Sequence, residues 1–382
     1  MQEWLKARLE ELEARQLLRD PADSGLHQAP PTAGAEGWLD ACSNDYLGLG
    51  ARSVSRETLS SLEGARPGAG ASRLVQGSFA EHEVLERELA EWLGAESSLL
   101  TPSAFAANAG LIPALGEAES LVVSDALNHA SIVDGCRLAR ARVVVTPHLD
   151  VEAVEAALRQ HRGSAPAWVV TEGLFSMDGD CPDLPTLRAL CDRYGAGLIV
   201  DEAHSLGVLG PAGAGRAAAQ AVRSDVAVAG LGKAVGSQGG VIACSSALRT
   251  WLWNRARSFV FSTAPSPLLC RVTLAQVRAA RAADDARSRL EARSAELRQA
   301  LAARGLPTLP GAVGPIVPVV LGSNERALAA MAELRRRGIL AQAIRPPTVA
   351  VGAARLRLTV HADWPDDAVS RIASAVEVAC AS

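Results

Sequence analysis

A lysine and an aspartate, each delivered at the end of an apolar run, are the residues in this chain best suited to chemistry. Lys233 stands in Val226-Ala-Val-Ala-Gly-Leu-Gly-Lys-Ala-Val-Gly236, and Asp201 in Gly197-Leu-Ile-Val-Asp-Glu-Ala-His204. Such runs read as buried strands, and a buried strand rarely delivers a bare lysine. A lysine amine in that setting can bond to an aldehyde. An aspartate can pair with a protonated pyridine nitrogen, so that the ring draws negative charge away from a reacting carbon. Together these are the needs of pyridoxal phosphate (PLP) chemistry. Asp201 alone would read as a capping residue before a turn. At the carboxyl end of a parallel strand it faces the crevice where such sheets bind ligands.

The letters Asp201-Glu-Ala-His204 also mark one class of ATP-driven helicases. That reading requires an upstream phosphate loop, G-x-x-x-x-G-K-[ST]. The only Gly-Lys is Gly232-Lys233, which lies downstream and is followed by Ala234, so the pattern fails. Ser98-Leu-Leu-Thr-Pro-Ser-Ala-Phe-Ala-Ala-Asn108 reads as strand, polar turn and helix. Ser103 is a suitable N-cap, and the amides beyond it, including those of Ala104 and Phe105, form an anion site of the kind found at many capped helices. His129 follows a strand in Ser124-Asp-Ala-Leu-Asn-His-Ala-Ser131. A single histidine is more often a structural hydrogen-bonder, but here an imidazole could lie flat on a pyridine face. Glu172 and Ser176 follow another strand in Thr171-Glu-Gly-Leu-Phe-Ser-Met-Asp-Gly-Asp180. Gly68-Ala-Gly-Ala-Ser-Arg-Leu-Val-Gln-Gly77 has no strand before it, so it reads as an active-site loop rather than a dinucleotide fingerprint. Arg345-Pro-Pro-Thr348 mounts an arginine beside two prolines, either as a surface turn or as a rigid carboxylate clamp. The other histidines show no metal-ligand spacing, and no metal site is expected.

The elements that must position these residues follow from the rest of the chain. At 382 residues two domains are expected. Short strands are predicted at 98–101, 120–124, 142–146, 168–171, 197–201, 225–229 and 240–244. Helical stretches, for example 150–160 and 184–194, separate most of them. That alternation predicts an α/β fold, a large mostly parallel sheet covered by helices on both faces. One long Ala/Arg helix is predicted over 274–304. Beyond it, strands at 314–321 and 354–360 with helices at 325–337 and 365–379 predict a smaller α+β C-terminal domain. The expected division is an N-terminal helical segment over 1–45, a large domain over 46–285 and a small one over 286–382. A net charge of −4 gives no support to nucleic-acid or membrane binding. The N-terminus reads as a charged amphipathic helix rather than a signal peptide. Seven scattered cysteines without a Cys-x-x-Cys predict reduced thiols and a cytoplasmic location.

Taken together, these segments resemble the α-oxoamine synthases, fold-type-I PLP enzymes that condense an amino acid with an acyl thioester and release carbon dioxide. The resemblance runs nearly end to end. It is carried by Ser43-Asn-Asp-Tyr-Leu-Gly-Leu49, Gly70-Ala-Ser-Arg73, Ser103-Ala-Phe-Ala-Ala-Asn108, Asn128-His-Ala-Ser131, Thr171–Gly179, Val200-Asp-Glu-Ala-His204, Gly232-Lys-Ala-Val-Gly236 and Phe261-Ser-Thr263. It implies that Lys233 holds PLP and moves a proton at the amino-acid Cα, that Asp201 pairs with the pyridine nitrogen, and that His129 stacks on the ring. His204 and Ser176 would meet the ring hydroxyl or phosphate side, and Glu172 would orient the cofactor surroundings. Ala104 and Phe105 would hold the phosphate through their amides, with Thr263 reaching it from the partner subunit of a homodimer. Arg345 and Asn44 would bind the substrate carboxylate, and Arg19 an acidic group. Ile344-Arg-Pro-Pro-Thr-Val349 followed by Arg355-Leu-Arg-Leu-Thr359 is similar to the members that take L-alanine with pimeloyl-CoA or a pimeloyl carrier protein. A glycine-using relative with a short acyl donor is the alternative. Two positions depart from the family pattern: Gly230, where a phosphate-binding threonine is usual, and Ser103-Ala-Phe, where Ser-Gly-aromatic is usual.

Overall fold

The computed structural model describes residues 1–19, 38–161 and 164–381, and His27 lies outside them. Its chain divides into two compact units, one of residues 47–176 and 180–287, the other of residues 1–46, 177–179 and 288–382.

The first unit is built on a seven-stranded sheet. Its order is Ser97–Thr101, Gly240–Cys244, Val226–Gly230, Gly197–Asp201, Ala167–Glu172, Leu121–Asp125 and Arg142–Thr146. Only Gly240–Cys244 runs against its neighbours. The other six strands share a direction, so their carboxyl ends lie along one edge. The strand alternation explains the burial on both faces. Leu121, Val123, Val169, Leu198 and Val200 pack with Val154 and Leu158 of helix Val151–Gln160 and Leu187 of helix Leu184–Tyr194. Their neighbours Val122, Val170 and Ile199 point the other way, to Leu111 and Ile112 of helix Ala104–Leu115 and Ile132 of helix Ala130–Leu138. Asp150 and Asp183 cap the first two helices through their carboxylates, as side chains that satisfy orphan amides should.

The single long helix expected over 274–304 is instead two, Pro267–Arg281 and Asp284–Ala302. Apolar spacing does not register the break, because alanines occupy it. Arg287 stabilises it by donating to the carbonyls of Ala280 and Arg281 and to the Asp284 carboxylate, so the last carbonyls of the first helix are satisfied by a side chain.

The second unit holds a three-stranded antiparallel sheet, Gln342–Ile344, Ala354–Thr359 and Ile316–Gly322, with helices Asn324–Arg336 and Ala368–Ala381. Leu39–Asp40 pairs in parallel with Ile339–Leu340, which ties the N-terminal segment into this unit.

His148, assigned no role from the sequence, joins two strand-end loops. Its ring donates to Asp125 at 2.8 Å and to Asp180 at 2.9 Å. Burial pulls its pKa down, but the hydrogen bonds and charges of the two aspartates outweigh that and push it up to about 10. The folded pKa exceeds the unfolded one, so its stabilisation is complete below about pH 6.5 and fades as pH rises through 10. His148→Gln should lower stability at pH 7 by about 2 kcal/mol, the worth of a hydrogen bond to a charged group. It should also flatten the alkaline decline. Urea denaturation from pH 6 to pH 10.5 measures both, and parallel pH curves for the two proteins would show that the triad contributes nothing.

Candidate active site

The carboxyl edge of the large sheet gathers Asp201, Glu172, Lys233 and His129. Asp201 and Glu172 are the last residues of adjacent strands and stand opposite each other in register. Lys233 lies in the turn after Val226–Gly230, and His129 caps helix Ala130–Leu138 in the loop after Leu121–Asp125. The lysine turn is held by backbone bonds from Leu231 to Gly239, Ser237 to Leu231 and Gly236 to Lys233. Lys233 Nζ lies 2.7 Å from His204 Nε2. An amine and an imidazole at that distance share a proton, so His204 both orients Lys233 and can take part in its protonation.

Asp201 is buried, and a buried carboxylate requires partners. The amide of Ala203 donates to its Oδ1 at 2.9 Å and Asn108 Nδ2 to its Oδ2 at 2.7 Å. Glu172 is also buried, and its Oε1 has no hydrogen-bond partner. Burial first, then the charge of Asp201, pushes its pKa up to about 8 against the opposing pull of Lys233 and the amides of His129 and Ser176. A neutral Glu172 at pH 7 follows, since burial and the neighbouring Asp201 both disfavour its charged form.

The anion-binding end of the site lies at helix Ala104–Leu115. Ser103 Oγ accepts from the Ala106 amide, and the Ser103 carbonyl from the Ala107 amide. The cap therefore leaves the first-turn amides of Ala104 and Phe105 for an anion. Gly240 faces this turn closely: a Cβ there would sit 2.3 Å from the Ser103 carbonyl carbon and 2.4 Å from the Ala104 nitrogen. Ser176 is buried beyond Glu172, while Thr263 is exposed in the loop after helix Arg257–Val260.

Arg345, Asn44 and Arg19 belong to the other unit. Arg345 is buried and donates to the Gln16 carbonyl, while its Nε has no partner. Burial, then the charge of Arg19, lowers its pKa. Arg19 Nη2 donates to the Pro346 carbonyl at 3.4 Å. Asn44 Oδ1 accepts from Tyr46 at 3.1 Å and from Arg357 Nη2 at 3.0 Å.

The aminotransferase class I and II family matches residues 36–376. An 8-amino-7-oxononanoate synthase from Anaeromyxobacter dehalogenans is 46% identical over 94% of this chain and 91% of its own. The chain belongs to the α-oxoamine synthases of that family. Among solved structures, a serine palmitoyltransferase with PLP superimposes with a TM-score of 0.87 at 25% identity, covering 98% of this chain and 96% of its own. An 8-amino-7-oxononanoate synthase from Francisella tularensis gives a TM-score of 0.78 at 25% identity, covering 91% of this chain and 98% of its own. The fold is therefore PLP fold type I, and the cofactor is PLP. The residues present fit it: an amine for the aldehyde, a buried carboxylate for the ring nitrogen, and uncommitted first-turn amides for the phosphate.

One departure from the family pattern is testable on the cofactor itself. A Cβ at Gly230 would meet only Ala104 and Ala203 Cβ, both at 3.6 Å, which is ordinary contact. Gly230→Thr therefore brings no clash at Cβ and should supply the phosphate hydroxyl that the family resemblance implies at this position. A hydrogen bond to a charged acceptor is worth about 1.5–3 kcal/mol, so PLP should dissociate about tenfold less readily. Equilibrium dialysis of PLP decides it, and unchanged or weaker binding would mean another group already fills that role.

Asn108, Ser131 and Arg357 contact candidate site residues in ways that residue type and spacing do not reveal. The available signal for Asn108 was a polar side chain inside the apolar helix Ala-Phe-Ala-Ala-Asn-Ala-Gly-Leu-Ile.

Proposed function

We propose that this chain condenses L-alanine with a pimeloyl thioester, releasing carbon dioxide and forming 8-amino-7-oxononanoate at an early step of biotin synthesis. The observation that carries the proposal is the similarity, over 94% of the chain, to an oxononanoate synthase, in a chain whose Lys233, His204 and Asp201 lie at one sheet edge. When bound, PLP supplies an aldehyde for an amine and a ring that spreads negative charge from Cα. Lys233 is the chain's own amine for that aldehyde, and it removes and returns the Cα proton. His204 keeps the Lys233 amine oriented, and the Asp201 carboxylate keeps a proton on the ring nitrogen. His129 covers the ring face, while Glu172 and Ser176 order its surroundings. Ala104 and Phe105 hold the phosphate through their amides. Arg345 and Asn44 are assigned the alanine carboxylate and Arg19 an acidic group.

In this reading residues 46–285 form the cofactor domain, 286–382 the small domain and 1–45 an N-terminal segment. The enzyme works as a cytoplasmic homodimer whose Thr263 reaches the phosphate of the partner subunit. Support comes from Phe261, an aromatic 73% exposed two residues before Thr263, and from seven free cysteines. Among the described residues no helix is long and apolar enough to cross a membrane.

Substrate pairing tests the proposal. Alanine, glycine and serine are offered with pimeloyl-CoA and with acetyl-CoA, and products are identified by mass. Alanine with pimeloyl-CoA should lead. One methyl group in a pocket discriminates by about 10- to 200-fold, which sets the expected margin over glycine. A preference for glycine with acetyl-CoA would replace the assignment with that of a glycine-using relative.

A further inference from the structure

Helix Ala104–Leu115 carries one polar side chain, Asn108, and it is fully buried. A buried amide is costly unless its hydrogen bonds are made. Asn108 Nδ2 lies 2.7 Å from Asp201 Oδ2 and 3.0 Å from Ser131 Oγ. A carboxylate only accepts, so the amino end of Asn108 must face Asp201, and both of its hydrogens are committed. Ser131 Oγ then accepts from Asn108 and keeps one hydrogen to give. His129 Nδ1 lies 2.8 Å from that hydroxyl, and the Ser131 backbone amide donates to the same nitrogen at 3.2 Å. A ring nitrogen receiving two donors carries no proton, so the neutral ring holds its proton on Nε2.

We propose that Asn108 is a positioning residue that orients Asp201 and, through Ser131, holds His129 as the neutral Nε2–H tautomer. The polarity is fixed from both ends: the carboxylate sets the Asn108 amino group as donor, and the Ser131 backbone amide, which can only donate, sets His129 Nδ1 as acceptor. Burial, the first influence on His129, favours the same neutral ring. The charge of Lys233 acts with it and that of Asp201 against it. Glu172 meets His129 through the His129 backbone amide, and His204 stands behind Lys233 at 2.7 Å from its amine. A neutral His129 leaves the Asp201 charge for the ring nitrogen, whereas an imidazolium would compete for it. This consequence rests on the cofactor-site reading above; the hydrogen-bond polarity does not.

The test uses the holoenzyme labelled with 15N-histidine, with His129 assigned by its loss in His129→Gln. In the wild type its ring nitrogens should show the Nε2–H pattern. Donors to Nδ1 oppose protonation, so Ser131→Ala should raise the His129 titration midpoint by about one pH unit. Ser131→Thr, which restores the hydroxyl, should return it. Asn108→Leu should raise the midpoint as well and also weaken PLP binding by about tenfold, the worth of one lost hydrogen bond to Asp201. Ser131→Ala should leave PLP binding within about twofold. An Nδ1–H ring in the wild type, or a midpoint unmoved in Ser131→Ala, would overturn the tautomer half. PLP binding unchanged in Asn108→Leu would overturn the Asp201 half. If Asn108→Leu lost its fold by circular dichroism, the alanine and threonine variants at Ser131 would still decide the tautomer, and Asn108→Ser, smaller but polar, would replace it in the binding assay. Failure of alanine turnover with these results intact would remove the substrate assignment and leave the relay standing.

Discussion

Lys233→Ala should abolish turnover while the protein stays folded. The amine is assigned two tasks, attachment of the cofactor and transport of the Cα proton, and no other lysine lies on this sheet edge, since the chain's second lysine is Lys6. Loss of a positioned proton carrier alone costs about 10²- to 10⁴-fold, and loss of the attachment point adds to it. The residue is only partly buried, and its side-chain contact at 2.7 Å is with His204, so the fold loses little. Three measurements separate these effects: the thermal midpoint, turnover with and without added small amines, and the mass of the chain after borohydride treatment with PLP. Wild type should retain the cofactor mass and the variant should not. More than trace turnover by the variant without added amines would show that another group does this work.

Asp201→Asn should cripple catalysis far more than folding. The substitution keeps size and shape, and the single amide oxygen can accept from either Asn108 or the Ala203 amide, which bond separate oxygens of Asp201, so the cost to folding is one lost hydrogen bond. The negative charge is what disappears. A charge-assisted hydrogen bond is worth about 1.5–3 kcal/mol, or about 10- to 150-fold in rate. The weaker electron sink of an unprotonated ring increases the loss, so kcat should fall by about a hundredfold or more. Glu172 provides an internal check. The Asp201 charge is the second cause of its raised pKa, after burial, so removing that charge should move its titration toward the ordinary carboxylate range. A near-normal kcat in Asp201→Asn would sink the assigned role.

The chemistry was legible in the sequence where it depended on residue type next to a strand end. A lysine and an aspartate that terminate apolar runs stand out because burial disfavours them anywhere else. The strands themselves were equally legible. Gly197–Asp201 and Gly240–Cys244 fall at the residues their apolar runs predicted, because a sheet covered on both faces demands continuous apolar residues, and Arg142–Thr146 falls at its predicted residues as an edge strand that leaves Val145 exposed. Asp150 and Ser103 announced their helices by local capping, which involves only neighbours in the chain.

Long-range pairing decided the rest. His148 carried no signal, since its partners Asp125 and Asp180 arrive from separate strand-end loops. Leu39–Asp40 is too short to read as a strand and exists only because Ile339–Leu340 offers it an edge. The break between helices at 281 and 284 depends on Arg287 reaching back to the Ala280 and Arg281 carbonyls, which a run of alanines does not encode. Asn108 was visible as a letter, but its role appears only where Asp201 and Ser131, far from it in sequence, come within hydrogen-bond distance. The sequence by itself determined which residue types could do the chemistry and which runs would be strands, because both are set by local burial and spacing. Only the tertiary structure decided which groups share protons and in which direction, because a hydrogen bond depends on ångström-scale approach between segments that the chain keeps far apart.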